Sequence, residues 1–270
     1  MKRLNITMAL LLCLMPAGAA LAQGSPQIIT VPISNPGEQL TLEIDILSAR
    51  IEVVGEDRRD AEFEFSVADG RRQIITPSGV KQLTGAGYEL EIEEDDNYIS
   101  VDTDWRANKV TVTARVPRNA DLILETVEDG EIVVRNIAGS LHLDNVNGPI
   151  TASNISGSVI AESVNDTIDV SFDALSGDEA MSMASINGDL RVAIPGNAGA
   201  QLHLDSNMGE ISSDFEVDVQ PSQPIIEREE DDDGVQVRIE SVIIANVNGG
   251  GPVIRLKTLH GDIHIAKSGN

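Results

Sequence analysis

Histidine is the side chain in this sequence best suited to metal or acid–base chemistry, and the chain contains four. His260, Asp262 and His264 form the strongest metal candidate, because alternate residues of an extended segment share one face. Two imidazoles and one carboxylate would suit zinc. Gly261 predicts a turn within this segment, however, and a turn would separate the three side chains. We therefore interpret them as exposed polar groups and predict no metal site.

The histidines also offer no nucleophilic site in the sequence. No Ser-His-Asp motif surrounds His142, His203, His260 or His264. The only cysteine, Cys13, lies in an apolar N-terminal run. If that run is removed on export, the mature chain can form neither a thiolate nor a disulfide.

Carboxylates at turns could bind calcium, as they do in β-rolls, where Gly-Gly-x-Gly-x-Asp loops hold a cation at each turn. That signature is missing from this sequence. Its turn acids are scattered among Asp129, Glu131, Asp166, Asp189 and Asp262. A calcium-binding β-roll is therefore an alternative interpretation, and we predict no ordered column of calcium ions.

Paired carboxylates on a β-helix could instead carry out glycosidase or lyase chemistry. The chain contains 44 acidic residues, so pairing alone is no evidence for such a site. Aromatic residues make up only 3% of the chain, and Trp105, Tyr88 and Phe172 form no stripe on which sugars could stack. We predict no catalytic residues and no cofactor, with a carbohydrate-active enzyme as the alternative.

The net charge restricts the classes of partner. At a formal −25, the chain repels nucleic acid and anionic membrane surfaces and favours cations and basic partners. No later apolar run approaches the roughly 20 residues that a membrane helix needs. We predict no nucleic-acid partner and no membrane span.

The elements that would position these side chains follow a repeat between residues 125 and 172. A turn residue recurs every nine positions, at Gly130, Gly139, Gly148, Gly157 and Asp166. The apolar residues that follow each turn alternate with other residues, which is the period of a β-strand. Alternate turns differ in kind, so two strands make one coil of about 18 residues. We predict an all-β, single-chain, β-helix-like β-solenoid whose glycines occupy corners of positive φ.

A column of polar residues accompanies the repeat, one position before the apolar residue that opens each unit. It contains Asn136, Asn145, Asn154, Ser163, Ser185, Asn246 and Thr258. Stacked coils would place these side chains about 4.8 Å apart, where amides and hydroxyls can satisfy buried backbone groups at the turns. We predict a structural ladder rather than a polar track that binds a ligand.

The same architecture is predicted over residues 40–270. Residues 23–39, spaced by Pro26, Pro32 and Pro36, predict an extended N-terminal lead-in or cap. Alternation outside the repeat predicts strands at 40–46, 47–53, 61–67, 88–92, 108–115, 121–125 and 235–244. Two loop insertions, 173–184 and 216–236, interrupt the repeat, and we expect them to give binding its selectivity. The second contains the acidic run 227–233, which we expect to contribute to partner capture.

Residues 1–22 have the features of a secretory signal peptide. Lys2 and Arg3 precede the apolar run 8–14, and residues 20–22 form a small-residue cleavage pattern. The residue before Cys13 is not small, which favours removal of the segment over lipid anchoring. We predict export to the periplasm, the cell envelope or the exterior.

Several of these motifs resemble the bacterial putative-adhesin family of β-strand-repeat proteins, a domain of unknown function. The resemblance covers residues 40–265 and rests on the segments 125–132, 146–150, 186–190, 192–195, 249–258 and 261–263. It implies an exported β-solenoid associated with the cell envelope and carries over no catalytic residues. The expected function is that of a non-enzymatic, adhesin-like binding surface or scaffold. Its expected partner is an unidentified envelope protein or glycan, basic or bridged by divalent cations.

Overall fold

The structure, a computed structural model, describes residues 27–67, 90–103, 109–128, 130–175, 181–221, 225–231, 234–240 and 242–268. The strands in these residues are β1 (Gln27–Pro32), β2 (Thr41–Asp45), β3 (Ala49–Glu56), β4 (Asp60–Val67), β5 (Leu90–Asp95), β6 (Tyr98–Thr103), β7 (Val110–Pro117), β8 (Asp121–Thr126), β9 (Glu131–Arg135), β10 (Leu141–Asn147), β11 (Ile150–Ile155), β12 (Val159–Asn165), β13 (Ile168–Phe172), β14 (Met181–Asn187), β15 (Leu190–Pro195), β16 (Ala200–Ser206), β17 (Ile211–Ser213), β18 (Val217–Gln220), β19 (Ile225–Asp231), β20 (Gly234–Glu240), β21 (Ile243–Val247), β22 (Val253–Thr258) and β23 (Ile263–Ser268). None of the described residues forms a helix, so none supplies a helix long and apolar enough to cross a membrane. The all-β fold class is confirmed, and the predicted signal peptide at 1–22 lies outside the described residues.

Consecutive strands of the regular core alternate between two large sheets. The ten-stranded sheet has the order β1-β4-β7-β3-β9-β11-β13-β15-β23-β17. The eleven-stranded sheet has the order β18-β21-β16-β22-β14-β12-β10-β8-β2-β6-β5. Strands β19 and β20 form a separate hairpin. Neither large sheet is closed, so each has two edge strands.

The repeat in the sequence appears as parallel strand pairing. Leu141 of β10 pairs with Val159 of β12, and Ile150 of β11 pairs with Ile168 of β13, so partners lie eighteen residues apart in both sheets. The next coil is longer, because Ile160 pairs with Ser182 across the insertion that follows β13. Each strand of the core therefore pairs with the equivalent strand of the neighbouring coil.

Buried apolar residues of both sheets form one continuous core. In β10 and β12, Leu143 and Ala161 are fully buried, and in β11 and β13 the same holds for Ala152 (1% exposed) and Val170. Alternation along each strand produces this arrangement, because successive side chains point to opposite faces of a sheet. Apolar burial at about 25 cal/mol per Å² stabilises each coil only when a neighbouring coil covers it.

Stacking order departs from chain order at both ends. Strands β2 and β3 lie between β6/β7 on one side and β8/β9 on the other. Strands β22 and β23 lie in the same way between β14/β15 and β16/β17. Each inserted pair has hydrogen-bonded neighbours on both sides, which leaves its backbone no unpaired edge.

Antiparallel strands complete the ends of the sheets. β1 pairs with β4 at one edge, which gives the predicted lead-in a defined strand. β5 and β6 form a hairpin whose two turn residues, Asp96 and Asn97, both have positive φ, at 48° and 66°. Such a turn matches the twist of the flanking strands.

Several predicted boundaries are wrong. The strand predicted at 88–92 is the hairpin strand β5, and its partner β6 was missed, as were β16 and β17. The strand predicted at 235–244 contains two elements, β20 and the start of β21. The insertion predicted at 216–236 contains β18 and β19 and the start of β20. The insertion predicted at 173–184 overlaps the start of β14, which begins at Met181. Leu47 is 44% exposed and precedes β3, contrary to the strand predicted at 47–53.

The role predicted for the repeated glycines is wrong for three of the four. Positive φ occurs at Gly148 (145°) and at the turn residue Asp166 (135°), but not at Gly130, Gly139 or Gly157. A Cβ added to Gly157 would lie 1.9 Å from the carbonyl oxygen of Gly139, and one added to Gly139 would lie 2.1 Å from that of Ala120. These glycines are required because the backbones of adjacent coils approach closely, and not because of their dihedral angles.

Candidate functional site

The structure does not bring together the three residues considered as a metal candidate, His260, Asp262 and His264. Asp262 Oδ1 accepts a hydrogen bond from the Glu210 amide at 2.8 Å, while His264 Nδ1 lies 2.9 Å from Ser212 Oγ. His260 donates its backbone amide to the Ile186 carbonyl at 2.9 Å. Among the described residues, no three His, Cys, Asp or Glu side chains are placed to hold a metal ion.

A serine, a histidine and an aspartate, the residue types of a hydrolase triad, come together at a sheet edge, and no sequence motif indicated this. Ser212 Oγ contacts His264 Nδ1, and His264 Nε2 lies 3.9 Å from Asp214 Oδ1. That second distance is too long for a hydrogen bond, so Asp214 does not orient the imidazole. The side chains of His264 and Asp214 are 41% and 51% exposed, which leaves the arrangement without the water-excluding pocket that nucleophilic catalysis uses.

The turn acids considered for calcium instead accept backbone hydrogen bonds. Asp189 Oδ1 accepts from the Asp262 amide at 3.0 Å, and Asp166 Oδ1 accepts from the Thr167 amide at 2.7 Å. Asp129 lies outside the described residues. These bonds give the carboxylates a structural role between and within turns. Of the aromatic residues considered for sugar stacking, Phe172 is buried in the core, and Trp105 and Tyr88 lie outside the described residues.

The predicted polar ladder divides into two separate columns. Asn136 and Asn154 both have positive φ, and Asn154 Nδ2 donates to Asn136 Oδ1 at 3.0 Å. The second set, which we call the inner column, is buried at the ends of successive strands of the eleven-stranded sheet and contains Thr126, Asn145, Ser163, Ser185 and Thr258. Asn246 belongs to neither column, because it lies on the antiparallel strand β21 and accepts a hydrogen bond from Gln201 at 3.4 Å.

A further asparagine ladder, missed in the sequence, lies on the surface beside the inner column. Asn165 Nδ2 donates to Asn147 Oδ1, and Asn187 Nδ2 donates to Asn165 Oδ1, both at 3.0 Å. The recurring Asn before the turn residue in Asn147-Gly148, Asn165-Asp166 and Asn187-Gly188 could have indicated it. Its amides bond one another, so it serves the stacking of coils.

The most distinctive surface feature is a row of carboxylates across the eleven-stranded sheet. Six adjacent strands, in the order β5, β6, β2, β8, β10 and β12, each place one outward-facing acid in register. We call this set the acidic row, and its members are Glu91, Asp102, Asp45, Glu125, Asp144 and Glu162. Adjacent strands lie about 4.8 Å apart, so the carboxylates follow one another at close intervals.

The acidic row carries little compensating charge. Asp144 Oδ2 lies 3.1 Å from His142 Nε2, and within the described part of the chain no other member has an ion-pair partner. The ten-stranded sheet differs, because its arginines face acids on neighbouring strands or turns. The ion pairs there join Arg50 to Glu131, Arg135 to Glu52, Arg115 to Glu62 and Arg191 to Asp189. One sheet is thus largely neutralised, while the other presents a line of negative charge.

Repulsion within the row affects the protonation of Glu125. Burial, followed by the negative charges of Asp45 and Asp144, raises the pKa of the Glu125 carboxyl above its ordinary value of 4.5. Like charges on adjacent strands disfavour ionisation in this way. Ionisation of Glu125 therefore lowers the stability of the folded protein.

Replacing Glu125 should make that cost measurable. A raised folded-state pKa means that ionisation opposes folding, so the penalty is absent well below the ordinary pKa of 4.5 and grows as pH rises through the folded-state value. Glu125→Gln should therefore raise the melting temperature at about pH 7, and this gain should narrow as the pH falls toward 4.5. Glu210→Gln, outside the row, is the control and should leave the melting temperature nearly unchanged. An equal gain in both variants at every pH would contradict the local repulsion.

Solved structures similar to this chain include two described next, whereas no protein-family model and no curated protein sequence matches it. A putative cell adhesion protein from Clostridium sporogenes has a TM-score of 0.48 and 11% identity, over 90% of this chain and 100% of that one. A putative adhesin from Bacteroides fragilis has a TM-score of 0.39 and 10% identity, over 89% of this chain and 97% of that one.

Proposed function

We propose that this chain is an exported, non-enzymatic protein of the cell envelope that acts as an adhesin-like binding surface or scaffold. The observation that supports the proposal is the charge asymmetry between the two sheets. Acids on the ten-stranded sheet face arginines, while the acidic row on the eleven-stranded sheet stands almost without counter-charges in the described residues. A basic partner, or one bridged by divalent cations, would relieve the repulsion among these carboxylates.

A β-solenoid is the architecture that we propose for this surface. Parallel pairing at an offset of eighteen residues and alternation between two sheets support stacked coils. Stacking fixes the spacing of the carboxylates, because all of them except Glu91, on the edge strand β5, belong to strands with hydrogen-bonded neighbours on both sides. A partner with repeated positive charges would then make many weak contacts at once, and such contacts add up to useful avidity.

Capture of partners from an envelope extract tests the proposal. We expect partner binding to weaken as salt rises, since the screening length falls to about 8 Å at physiological ionic strength. The double variant Asp45→Asn/Glu125→Gln should weaken capture at low salt, because it removes two adjacent members of the acidic row. A chelator added in parallel separates direct basic contacts from contacts bridged by divalent cations.

The matched control is Asp57→Asn/Glu210→Gln, which removes the same charge from exposed positions outside the row. It should leave capture near that of the parent protein. Equal capture by the parent and both double variants at every salt concentration would reject the acidic row as a binding surface. Turnover of an envelope glycan by the purified protein would reject the non-enzymatic role in favour of a carbohydrate-active enzyme.

A further inference from the structure

An open groove of about 1100 Å³ lies at one end of the outer face of the eleven-stranded sheet. It is lined by the last residues of five adjacent strands, β10, β12, β14, β22 and β16, and by the residues that follow β22 and β16. The acidic row reaches this groove through Asp144 and Glu162 and otherwise lies outside it. We call this region the groove.

A line of apolar side chains runs along the groove. Four members occupy equivalent positions just past the inner column on neighbouring strands, and they are Val146, Val164, Ile186 and Leu259. Met208 ends the line one residue beyond Asn207, which follows Ser206, the register partner of Thr258. Three of these side chains are exposed, with Ile186 at 46%, Leu259 at 38% and Met208 at 73%. Exposed apolar side chains in a continuous line mark a surface that binds another molecule.

Charged side chains form a second line beside the first. Asp144 pairs in register with Glu162, and farther along the same line Lys257 pairs with Asp205. Lys257 Nζ lies 3.4 Å from Asp205 Oδ2, so this ion pair stands at one end of the groove. At the other end Asp144 pairs only with His142, and Glu162 has no ion-pair partner among the described residues. The two lines are two residues apart along each strand, or about 7 Å.

The spacing within each line favours a helical occupant. Neighbouring strands lie about 4.8 Å apart, so each line repeats at that interval. Side chains on one stripe of a helix recur about every 5.4 Å, whereas those on one face of an extended strand recur about every 6.7 Å. Over four strand intervals a helix falls out of step by about 2 Å and an extended strand by about 8 Å.

We propose that the groove binds a cationic amphipathic helix of a partner protein, with its apolar stripe on the line from Val146 to Met208 and its basic stripe on Asp144 and Glu162. This inference rests on the proposed function and names the binding site and the partner class. Charge excludes the competing occupants: a second copy of this chain carries a formal −25, and nucleic acids and anionic membranes are likewise repelled.

The test uses the full mature chain and a fluorescent peptide of about 18 residues, or roughly five helical turns, built from Leu and Lys in adjacent stripes. We expect binding by fluorescence anisotropy together with a gain of helical circular dichroism in the peptide. A scrambled Leu/Lys peptide of the same composition and a Leu/Glu peptide of the same pattern should bind weakly. Equal binding of the scrambled peptide would overturn the proposal, because charge alone would then suffice.

Variants locate the site. Ile186→Ser should raise the Kd for the Leu/Lys peptide about tenfold, because the peptide would cover the large apolar side chain of Ile186 on binding. Ile28→Ser makes the same change at a side chain that is 60% exposed on β1, in the other sheet, and should leave the Kd unchanged. Glu162→Gln should weaken binding and make it less dependent on salt. If Ile186→Ser and Ile28→Ser behave alike, the groove is not the site.

The outcomes separate this inference from the proposed function. If Asp45→Asn/Glu125→Gln weakens envelope capture while Ile186→Ser leaves peptide binding intact, the groove assignment fails and the binding-surface role stands. If neither variant has an effect, both fail. Sedimentation that shows a dimer lost on Ile186→Ser, or binding to anionic vesicles, would also overturn the helical occupant.

Discussion

Gly157→Ala should destabilise the protein by on the order of 1–3 kcal/mol, although it adds a single methyl group. The new Cβ would lie 1.9 Å from the Gly139 carbonyl oxygen and 2.6 Å from its carbonyl carbon. Both atoms belong to the backbone of the adjacent coil, so no flexible side chain can move aside. Coils must separate locally, which lengthens hydrogen bonds in both sheets.

The matched control is Gly196→Ala. Its added Cβ would meet only the Cδ of Lys267, at 4.0 Å, and its φ lies outside the left-handed region. This change should be neutral or stabilising by up to about 1 kcal/mol, because alanine reduces the freedom of the unfolded chain. Thermal and denaturant unfolding measure both variants. If the two variants unfold alike, close approach of the coils is not what requires glycine at position 157.

The strands of the regular core could be predicted because their signal is local. Alternation of side chains and a fixed interval between turns depend on neighbouring residues, so the pairing of Leu141 with Val159 follows from the repeat itself. The reason for glycine could not be predicted in the same way. A positive φ and a close approach both favour glycine, so the sequence alone does not distinguish Gly157, which has only the close approach, from Gly148, which has both.

The stacking order of the strands could not be predicted from the sequence, for a different reason. Strand β2 lies between β6 and β8, so Thr41 pairs with both Tyr98 and Asp121. No repeat spacing connects these residues, because the intervening strands follow a separate path through β3, β4 and β5. Contacts between distant parts of a chain leave little trace in a single sequence, whereas a periodic pattern can be read from it directly.

The acidic row shows what this limit means for the candidate site. Asp45, Glu125 and Asp144 stand side by side, yet they belong to separate segments of the chain. The sequence indicated a strongly acidic protein and suggested that binding would involve the loops. The pairing register of neighbouring strands, which are distant in the sequence, concentrates the charge on one face of the sheet. Composition alone does not. The acidic run at 227–233, favoured from the sequence, lies partly on hairpin strand β19 and is separate from this row.

Substitutions in the inner column should produce the second large change in stability. Two of its neighbouring members, Asn145 and Ser163, look equivalent in the sequence. Asn145 and Ser163 pair in register, and both are buried, at 2% and 6% exposure. Asn145 Nδ2 donates to the Gly130 carbonyl at 3.3 Å and to the Pro149 carbonyl at 3.4 Å. Ser163 Oγ has no hydrogen-bond partner. The two positions should therefore respond to loss of polarity in opposite ways.

Asn145→Leu should cost on the order of 1–3 kcal/mol, because it leaves the Gly130 and Pro149 carbonyls without their side-chain donor. Ser163→Ala should be neutral or stabilising by up to about 1 kcal/mol, because it removes a buried hydroxyl that has no partner. Denaturant unfolding of the parent and both variants at one pH measures the contrast. A comparable loss in both would mean that the Ser163 hydroxyl is bonded in solution, for which a buried water is the physical candidate. A loss of stability in Asn145→Leu together with no loss in Ser163→Ala would show how the inner column contributes to stability. Its polar residues would stabilise the fold only where a side-chain donor reaches a backbone carbonyl of a turn.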